Sequence, residues 1–220
     1  QRFSRFLTCS TVNKLYSYSS EFLIISFYNL PPKNPETTTV FPPLIRKDVQ
    51  MTKTAEGDHV LVYQTSPTFH RLFPILEKID SKFLIYGFGA RPSQKNLVFK
   101  ENSSHGFLED LATARYAITN GGHNVLCEAI YLSKPVLAFP IANAYEQFLN
   151  SYFLSECGFG GYSSSLNPSE DLFLDFERRL DEYKSNINHG QLMGNERLVR
   201  RIENLISTGR GNSESSTRKV

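Results

Sequence analysis

The residues best suited to chemistry lie between Thr119 and Glu128, where a short apolar strand runs directly into a helical pattern. The pair Gly121-Gly122 stands at the junction, and glycine lets a ligand approach the backbone because it has no Cβ. A helix start offers unpaired N–H groups and a partial positive charge, which both favour a phosphate. Glu128, one helical turn further on, is placed to accept hydrogen bonds from sugar hydroxyls. These residues in this order predict a site for a nucleotide diphosphate.

A second polar group follows the next predicted strand. The strand 135–139 leads through Pro140 to the pair Glu146-Gln147. Because both groups follow neighbouring strands, we interpret the second one as the contact for whatever the nucleotide carries.

Several of these residues also have a purely structural interpretation. Gly121-Gly122 fits an ordinary turn after a strand, and Asn124 fits a helix N-cap. Glu128 is harder to explain in this way, since its neighbours are apolar or small and a buried carboxylate needs partners.

The remaining polar residues carry the same two interpretations. His123 at a helix start is more often structural, although a His beside an anion can donate to a phosphate or carry compensating charge. Asn143 with Glu146 three residues later is a plain capping-box pattern. Their position at adjacent strand ends favours the functional interpretation.

The elements around this region alternate in a way that predicts an α/β fold. Short apolar strands separated by helical periods indicate a doubly wound, mainly parallel, Rossmann-like sheet with helices on both faces. The predicted strands are 59–64, 82–87, 96–99, 116–119 and 135–139, and the predicted helices 68–79, 106–114, 124–132, 144–156, 168–186 and 195–206.

In such a sheet, ligands bind beyond the carboxyl ends of the strands. The loops that follow those ends hold the candidate residues, so the fold collects them on one edge. These loops are 64–66, 87–89, 103–107, 120–124 and 140–147.

Composition excludes several other classes. The 220 residues carry a formal net charge of +2 with scattered Lys and Arg, which does not favour nucleic acid as a partner. No apolar run is long enough to span a bilayer, and the three separated cysteines form neither a disulfide framework nor a metal knuckle. Phosphate-loop, dinucleotide and zinc-protease motifs and Asp-x-Asp pairs are absent. We therefore expect a cytoplasmic protein without a metal or a cofactor.

The chain also has a predicted division into parts. A helix-like stretch, one strand and a segment dense in proline and threonine (29–43) precede the alternating pattern. A lone helix and strand cannot bury their own faces, so we expect residues 1–45 to be the remnant of a preceding domain with a linker. Residues 46–206 are then the nucleotide-sugar-binding domain. Residues 207–220 are predicted to be a disordered tail.

From about Pro42 to Phe159 the pattern resembles the C-terminal, donor-binding half of GT-B glycosyltransferases, the group that includes MurG and the UDP-glucuronosyltransferases. The resemblance is strongest in 120–128, in Ser133-Lys-Pro135, where Ser133 takes a glycine-like position, and in 146–150. It implies a UDP-sugar as the substrate and transfer with inversion to an unknown acceptor.

The resemblance also implies roles for particular residues. The glycine turn and helix start hold the diphosphate, and Glu128 binds the ribose hydroxyls. The pair Glu146-Gln147 reaches the donor sugar. In the same way, Phe107-Leu108 lies against the base and Gln64-Thr65-Ser66 lies beside the phosphates. The donor-binding residues implied in total are Gln64, Thr65, Ser66, Phe107, Leu108, Asn120, Gly121, Gly122, His123, Asn124, Glu128, Glu146 and Gln147.

For the reaction, His123 is expected to stabilise the leaving diphosphate. The base that deprotonates the acceptor belongs to the N-terminal domain in relatives of this type, so a missing N-terminal domain is expected to supply the acceptor site. The chain alone should then bind donor, with little or no hexosyl transfer. The full-length protein can also be peripheral to a membrane. Two alternatives stay open: a non-catalytic nucleotide-sugar-binding module, and a nucleotide-sugar epimerase of the same architecture.

Overall fold

Strands and helices alternate along most of the chain. The computed structural model describes residues 2–101, 103–165, 167–188 and 192–216. The strands are β1 (Phe22–Ile25), β2 (Thr38–Phe41), β3 (His59–Tyr63), β4 (Lys82–Tyr86), β5 (Leu97–Phe99), β6 (Ala117–Thr119), β7 (Val136–Ala138) and β8 (Gly160–Tyr162). The helices are α1 (Arg2–Leu15), α2 (Lys47–Met51), α3 (Phe73–Leu76), α4 (Ser104–Thr113), α5 (His123–Tyr131), α6 (Tyr145–Glu156), α7 (Glu170–Arg178), α8 (Leu180–Asn186) and α9 (Asn195–Ser216).

The chain divides into two compact units. One comprises Gln1–Ser19 with Arg46–Asn188, and the other Ser20–Ile45 with His189–Val220. One division between the units falls between Ile45 and Arg46, and both units are discontinuous in sequence. That residues 1–45 belong to a preceding domain stays a prediction.

The larger unit is built on a parallel sheet with the strand order β5-β4-β3-β6-β7-β8. The predicted doubly wound α/β fold is therefore confirmed. The chain builds outward from β3 to β5, then returns to the other side of β3 and builds from β6 to β8. The order reverses between β3 and β6, which is the switch point where such sheets bind ligands.

The core of this unit lies between the sheet and its helices. Apolar strand residues such as Val60, Val62, Phe83 and Ile85 are fully buried, as expected for a parallel sheet covered on both faces. Phe173 and Phe176 of α7 complete the same cluster.

Three local predictions differ from the structure. Strand β8 was not predicted, since its sequence Gly160-Gly-Tyr162 lacks an apolar pattern. Glycine is needed there, because a Cβ on Gly160 would lie 2.0 Å from the carbonyl oxygen of Val136. The helix predicted over 168–186 is divided at Arg179 into α7 and α8. The helix predicted over 68–79 is a 3₁₀ turn (Pro67–Leu72) followed by the single turn α3.

The smaller unit contains the parallel pair β1 and β2, and the helix α9. Strand β2 lies inside the segment 29–43 that the sequence predicts to be a linker. Asn195 at the start of α9 accepts a hydrogen bond from the Ile45 amide at 3.0 Å and donates to the Ile45 carbonyl at 2.9 Å. Helix α9 includes residues 207–216 of the predicted disordered tail, and residues 217–220 lie outside the described residues.

The described residues contain neither a membrane-spanning helix nor a metal-binding cluster. None of the helices there combines the length and the apolar character needed to cross a membrane. Likewise, no group of three or more His, Cys, Asp or Glu side chains in that part of the chain is arranged to hold a metal ion. The compartment, and the expectation of a reaction without metal or cofactor, stay predictions.

Candidate functional site

The switch point brings two of the predicted loops together. Thr65 follows β3 and Asn120 follows β6, and the Asn120 side-chain amide donates to the Thr65 hydroxyl at 3.3 Å. Asn120 is buried, whereas Thr65 is exposed. The contact fixes the two strand ends against each other, so the loop after β3 borders the glycine turn.

The two glycines of the turn have different roles. Gly121 has a φ of +78°, and a Cβ there would lie 2.4 Å from the Ser151 hydroxyl and 2.7 Å from the Gln147 carbonyl oxygen. Its carbonyl also accepts a hydrogen bond from the buried Asn150 amide at 3.2 Å. Gly121 is thus required by the close packing of the turn on α6.

Gly122 has no such packing constraint. A Cβ at Gly122 would meet only the Asn120 side-chain oxygen, at an ordinary 3.6 Å. The missing side chain therefore leaves open space beside the backbone, where a ligand can approach.

The start of α5 is left without a side-chain cap. Gly122 is its N-cap and offers no capping oxygen, so the structural interpretation of Asn124 as an N-cap is wrong. Asn124 is the second residue of the helix and is exposed. An uncapped helix start with its partial positive charge is suited to an anionic ligand.

His123 is the first residue of α5 and is partly buried. Burial lowers the pKa of His123, and the nearby Glu146 carboxylate offsets only part of that effect. Its Nε2 atom lies 3.5 Å from the Cys127 sulfur, and burial also raises the pKa of the Cys127 thiol to about 12. Near pH 7 His123 is therefore mostly neutral, and it offers a phosphate a hydrogen bond rather than a charge.

Glu128 is buried on α5 and is held by Arg46, the residue before α2. Arg46 donates from Nε to Oε1 at 2.7 Å and from Nη2 to Oε2 at 3.1 Å. This hydrogen bonding raises the pKa of Arg46. The partner that burial of Glu128 requires is thus a bidentate guanidinium, which sequence reasoning did not identify.

The pair Glu146-Gln147 lies in the first turn of α6. Glu146 is exposed, and Gln147 accepts a hydrogen bond from the Ile141 amide at 3.1 Å. The capping box of Asn143 with Glu146 is wrong, because α6 has Ala144 as its N-cap and Asn143 has a φ of +66°. The Gln147 carbonyl oxygen packs against Gly121, so the start of α6 lies beside the glycine turn.

The residues after β3 divide between buried and exposed positions. Gln64 is 1% exposed, and its Nε2 atom has no hydrogen-bond partner among the described residues. Thr65 is exposed, and Ser66 accepts a hydrogen bond from the Thr68 amide at 3.4 Å, which caps the 3₁₀ turn. Thr65 is therefore the residue of this group with the most accessible side chain.

Of the two residues predicted to contact the base, Phe107 and Leu108, only Phe107 has an accessible side chain. Leu108 is buried, whereas Phe107 is half-buried near the start of α4. The Phe107 ring packs edge-on against Tyr63 and Tyr86 at centroid distances of 5.3 and 5.2 Å. Phe107 thus presents a held aromatic ring, and Leu108 belongs to the core.

Taken together, these residues and the sheet define a Rossmann-like domain with a glycine turn and an uncapped helix start at its switch point. A family model described as glycosyl transferase family 1 matches residues 3–180, and the chain belongs to that family. A comparison with curated proteins gives no significant match.

Solved glycosyltransferase structures share the fold. Spinosyn forosaminyltransferase SpnP superposes with a TM-score of 0.59 at 14% identity, over 84% of this chain and 55% of its own. SnogD from Streptomyces nogalater gives 0.53 at 15% identity, over 80% and 52%. The calicheamicin glycosyltransferase CalG4 gives 0.55 at 17% identity, over 91% and 60%. The chain thus spans between half and two thirds of these structures, and the likeness establishes the GT-B fold.

Proposed function

We propose that this chain is the donor-binding half of a glycosyltransferase of the MurG and UDP-glucuronosyltransferase type, and that its donor is a UDP-sugar. The observation that carries the proposal is the uncapped start of α5 one turn before Glu128, at the sheet's switch point. The diphosphate would lie over Gly122 and the first amides of α5. The ribose hydroxyls would bind Glu128, and the base would lie on Phe107.

The chemistry follows from where charge develops. The acceptor oxygen forms a bond to the anomeric carbon while the bond from that carbon to the β-phosphate oxygen breaks. The electron pair goes to the diphosphate, and the acceptor proton goes to a base. Fixed N–H donors at the α5 start would stabilise the leaving charge most strongly in the transition state. A hydrogen bond from His123 would add to this stabilisation.

The remaining roles complete the proposal. Glu146 and Gln147 would contact the donor hexose, and attack from the opposite face would invert the anomeric centre. The acceptor and its base would belong to a further domain, since the chain spans only part of the length of the glycosyltransferases it resembles. The isolated chain would then bind donor with little or no transfer.

Calorimetric titration of the purified chain with UDP, GDP and ADP tests the proposal. We expect saturable binding of UDP in preference to the other two nucleotides. Glu128→Ala should weaken UDP binding about tenfold or more, because it removes charged acceptors for the ribose hydroxyls. The matched control is Glu182→Ala, which removes a carboxylate paired with Arg179 on the exposed surface of α8.

Each result of the titration supports or contradicts one part of the proposal. Loss of affinity in Glu128→Ala but not in Glu182→Ala supports the donor site. Equal binding of all three nucleotides contradicts the UDP assignment. Absence of binding to any of them contradicts the donor-binding function of this chain, and transfer by the isolated chain contradicts the need for a further domain.

A further inference from the structure

The pair Arg46–Glu128 joins two distant parts of the larger unit. Arg46 lies 82 residues before Glu128 in the sequence. The Arg46 side chain is half-exposed, whereas that of Glu128 is 11% exposed. Arg46 also donates from Nη1 to the exposed Asp48 at 3.0 Å, so its guanidinium is held from two sides.

The geometry of this pair leaves part of the carboxylate free to bind a ligand. An ionised carboxylate offers about four acceptor positions, two on each oxygen. Arg46 takes one position on Oε1 and one on Oε2, at 2.7 and 3.1 Å. Among the described residues no other hydrogen bond to these two oxygens is found, so one position on each remains, and two adjacent hydroxyls of a ribose can donate to such a pair.

Resting on the proposed function, we propose that Arg46 is the positioning residue for Glu128, and that it makes the site selective for a ribonucleotide over a 2′-deoxyribonucleotide. The two hydrogen bonds from the Arg46 guanidinium fix the orientation of the Glu128 carboxylate, so both of its oxygens are ordered before the ligand binds. Preorganisation of this kind increases affinity because less side-chain freedom is lost on binding. Arg46 itself does not need to touch the nucleotide.

A matched pair elsewhere in the same unit provides the control. Arg179 donates from Nε to the Glu182 Oε2 atom at 2.8 Å and from Nη2 to Oε1 at 2.9 Å. Both side chains are 54% exposed; Arg179 lies between α7 and α8, and Glu182 lies on α8, outside the loops that hold the candidate site residues. Arg179→Gln therefore breaks a pair of the same geometry without touching the proposed site.

The experiment measures Kd for UDP and for 2′-deoxy-UDP by calorimetry in wild type, Arg46→Gln, Arg46→Lys and Arg179→Gln. We expect wild type to bind UDP about tenfold more tightly than 2′-deoxy-UDP, since the deoxy ligand lacks one donor to a charged acceptor. Arg46→Gln should weaken UDP binding and reduce this ratio to about twofold or less. Arg46→Lys should restore part of the ratio because it keeps the charge but loses the fork, and Arg179→Gln should match wild type.

The ratio separates positioning from simple destabilisation, since a general loss of folded protein lowers the affinity for both ligands equally. A second test adds Arg46→Gln to Glu128→Ala, where the Arg46 change should have no further effect on UDP binding. An unchanged ratio in Arg46→Gln, or tighter UDP binding, would overturn the inference. The donor site itself would still stand if wild type binds UDP and Glu128→Ala does not.

Discussion

The polar side chains at the two edges of the parallel sheet differ in the hydrogen bonds that they make. At the amino ends of the strands, the Asn96 amide donates to three carbonyl oxygens at 2.8–2.9 Å. At the same edge, the buried Lys134 donates to the Ala55 carbonyl at 2.6 Å. At the carboxyl ends, the start of α5 is uncapped and Glu128 keeps acceptor positions beyond those that Arg46 occupies.

The amino-end edge also has a concavity. An open groove of about 530 Å³ lies there, lined by Asp58, Glu77, Lys78, Ile79, Asp80, Ser81, Lys82, Lys95 and Asn96. Several of its charges are already paired, such as Lys95 with Glu77 at 2.9 Å and Lys78 with Glu170 at 3.0 Å. The comparison teaches that volume alone does not identify the candidate ligand site, which is distinguished by an uncapped helix start close to a buried carboxylate.

The largest effect is expected at the packed glycine of the turn. Gly121→Ala should lower the free energy of unfolding by about 3 kcal/mol or more, because it adds left-handed backbone strain to overlap with α6. Urea denaturation monitored by circular dichroism measures the change. A loss below about 1 kcal/mol would show that the turn relaxes without difficulty, and would weaken the assignment of Gly121 to packing.

Gly122→Ala is the matched control for this substitution. Its φ of −67° and open surroundings accept a methyl group, so we expect no loss of stability. UDP binding should nevertheless weaken, since the methyl group fills the space proposed for the diphosphate. Full retention of UDP affinity in Gly122→Ala would contradict a close ligand approach at this residue.

The next effect concerns the amino-end edge. Asn96→Ala should lower the free energy of unfolding by about 1–2 kcal/mol, because the main-chain carbonyl oxygens that accept hydrogen bonds from the Asn96 amide lose their donor. The Kd for UDP, measured by calorimetry at a temperature where the variant is folded, should stay within about twofold of wild type. A large loss of UDP affinity in this variant would remove the functional distinction between the two edges.

The smallest effect concerns pH. Burial lowers the pKa of Lys134 to about 8, with Lys184 lowering it further and Glu56 opposing both. The unfolded chain then holds this proton more tightly than the folded one between about pH 8 and 10.5, so the Lys134 contribution to stability rises with pH in that window. Below pH 8 the ammonium is charged in both states, and its burial opposes folding.

Comparison with Lys134→Met isolates this contribution, because cysteines and tyrosines titrate in the same range in both proteins. The free energy of unfolding of wild type relative to Lys134→Met should increase from pH 8 to 10. We expect a modest increase, because the folded state gives the ammonium the Ala55 carbonyl as a hydrogen-bond partner. Parallel curves for the two proteins would show that Lys134 has an ordinary pKa.

Much of the fold could be predicted because the apolar pattern is strong where burial is complete. The strands β3, β4, β6 and β7 consist of apolar runs that lie within the predicted ranges. Strand β8 could not be predicted, because Gly160 is required by the close approach of the Val136 backbone rather than by hydrophobicity. The break at Arg179 was also not predictable, since the helical period continues across it.

The candidate site likewise has features that the sequence predicted and features that it could not predict. The turn at Gly121-Gly122 and the helix start are local features, and residue types alone predicted their position. Their different roles were not predictable, since only the packing of α6 shows that Gly121 is crowded and Gly122 is open. Similarly, Asn143 with Glu146 fits a capping box in sequence, but the left-handed conformation of Asn143 excludes it.

The sequence by itself determined the order of strands β3 to β7 and of most helices, the glycine turn and the place of Glu128, because these depend on residues close together in the chain. Ser133 in its glycine-like position, with a φ of +56°, belongs with them. Only the tertiary structure decided that Arg46 is the partner of Glu128. No local pattern specifies a contact across 82 residues, which forms when burial brings a carboxylate and a guanidinium together.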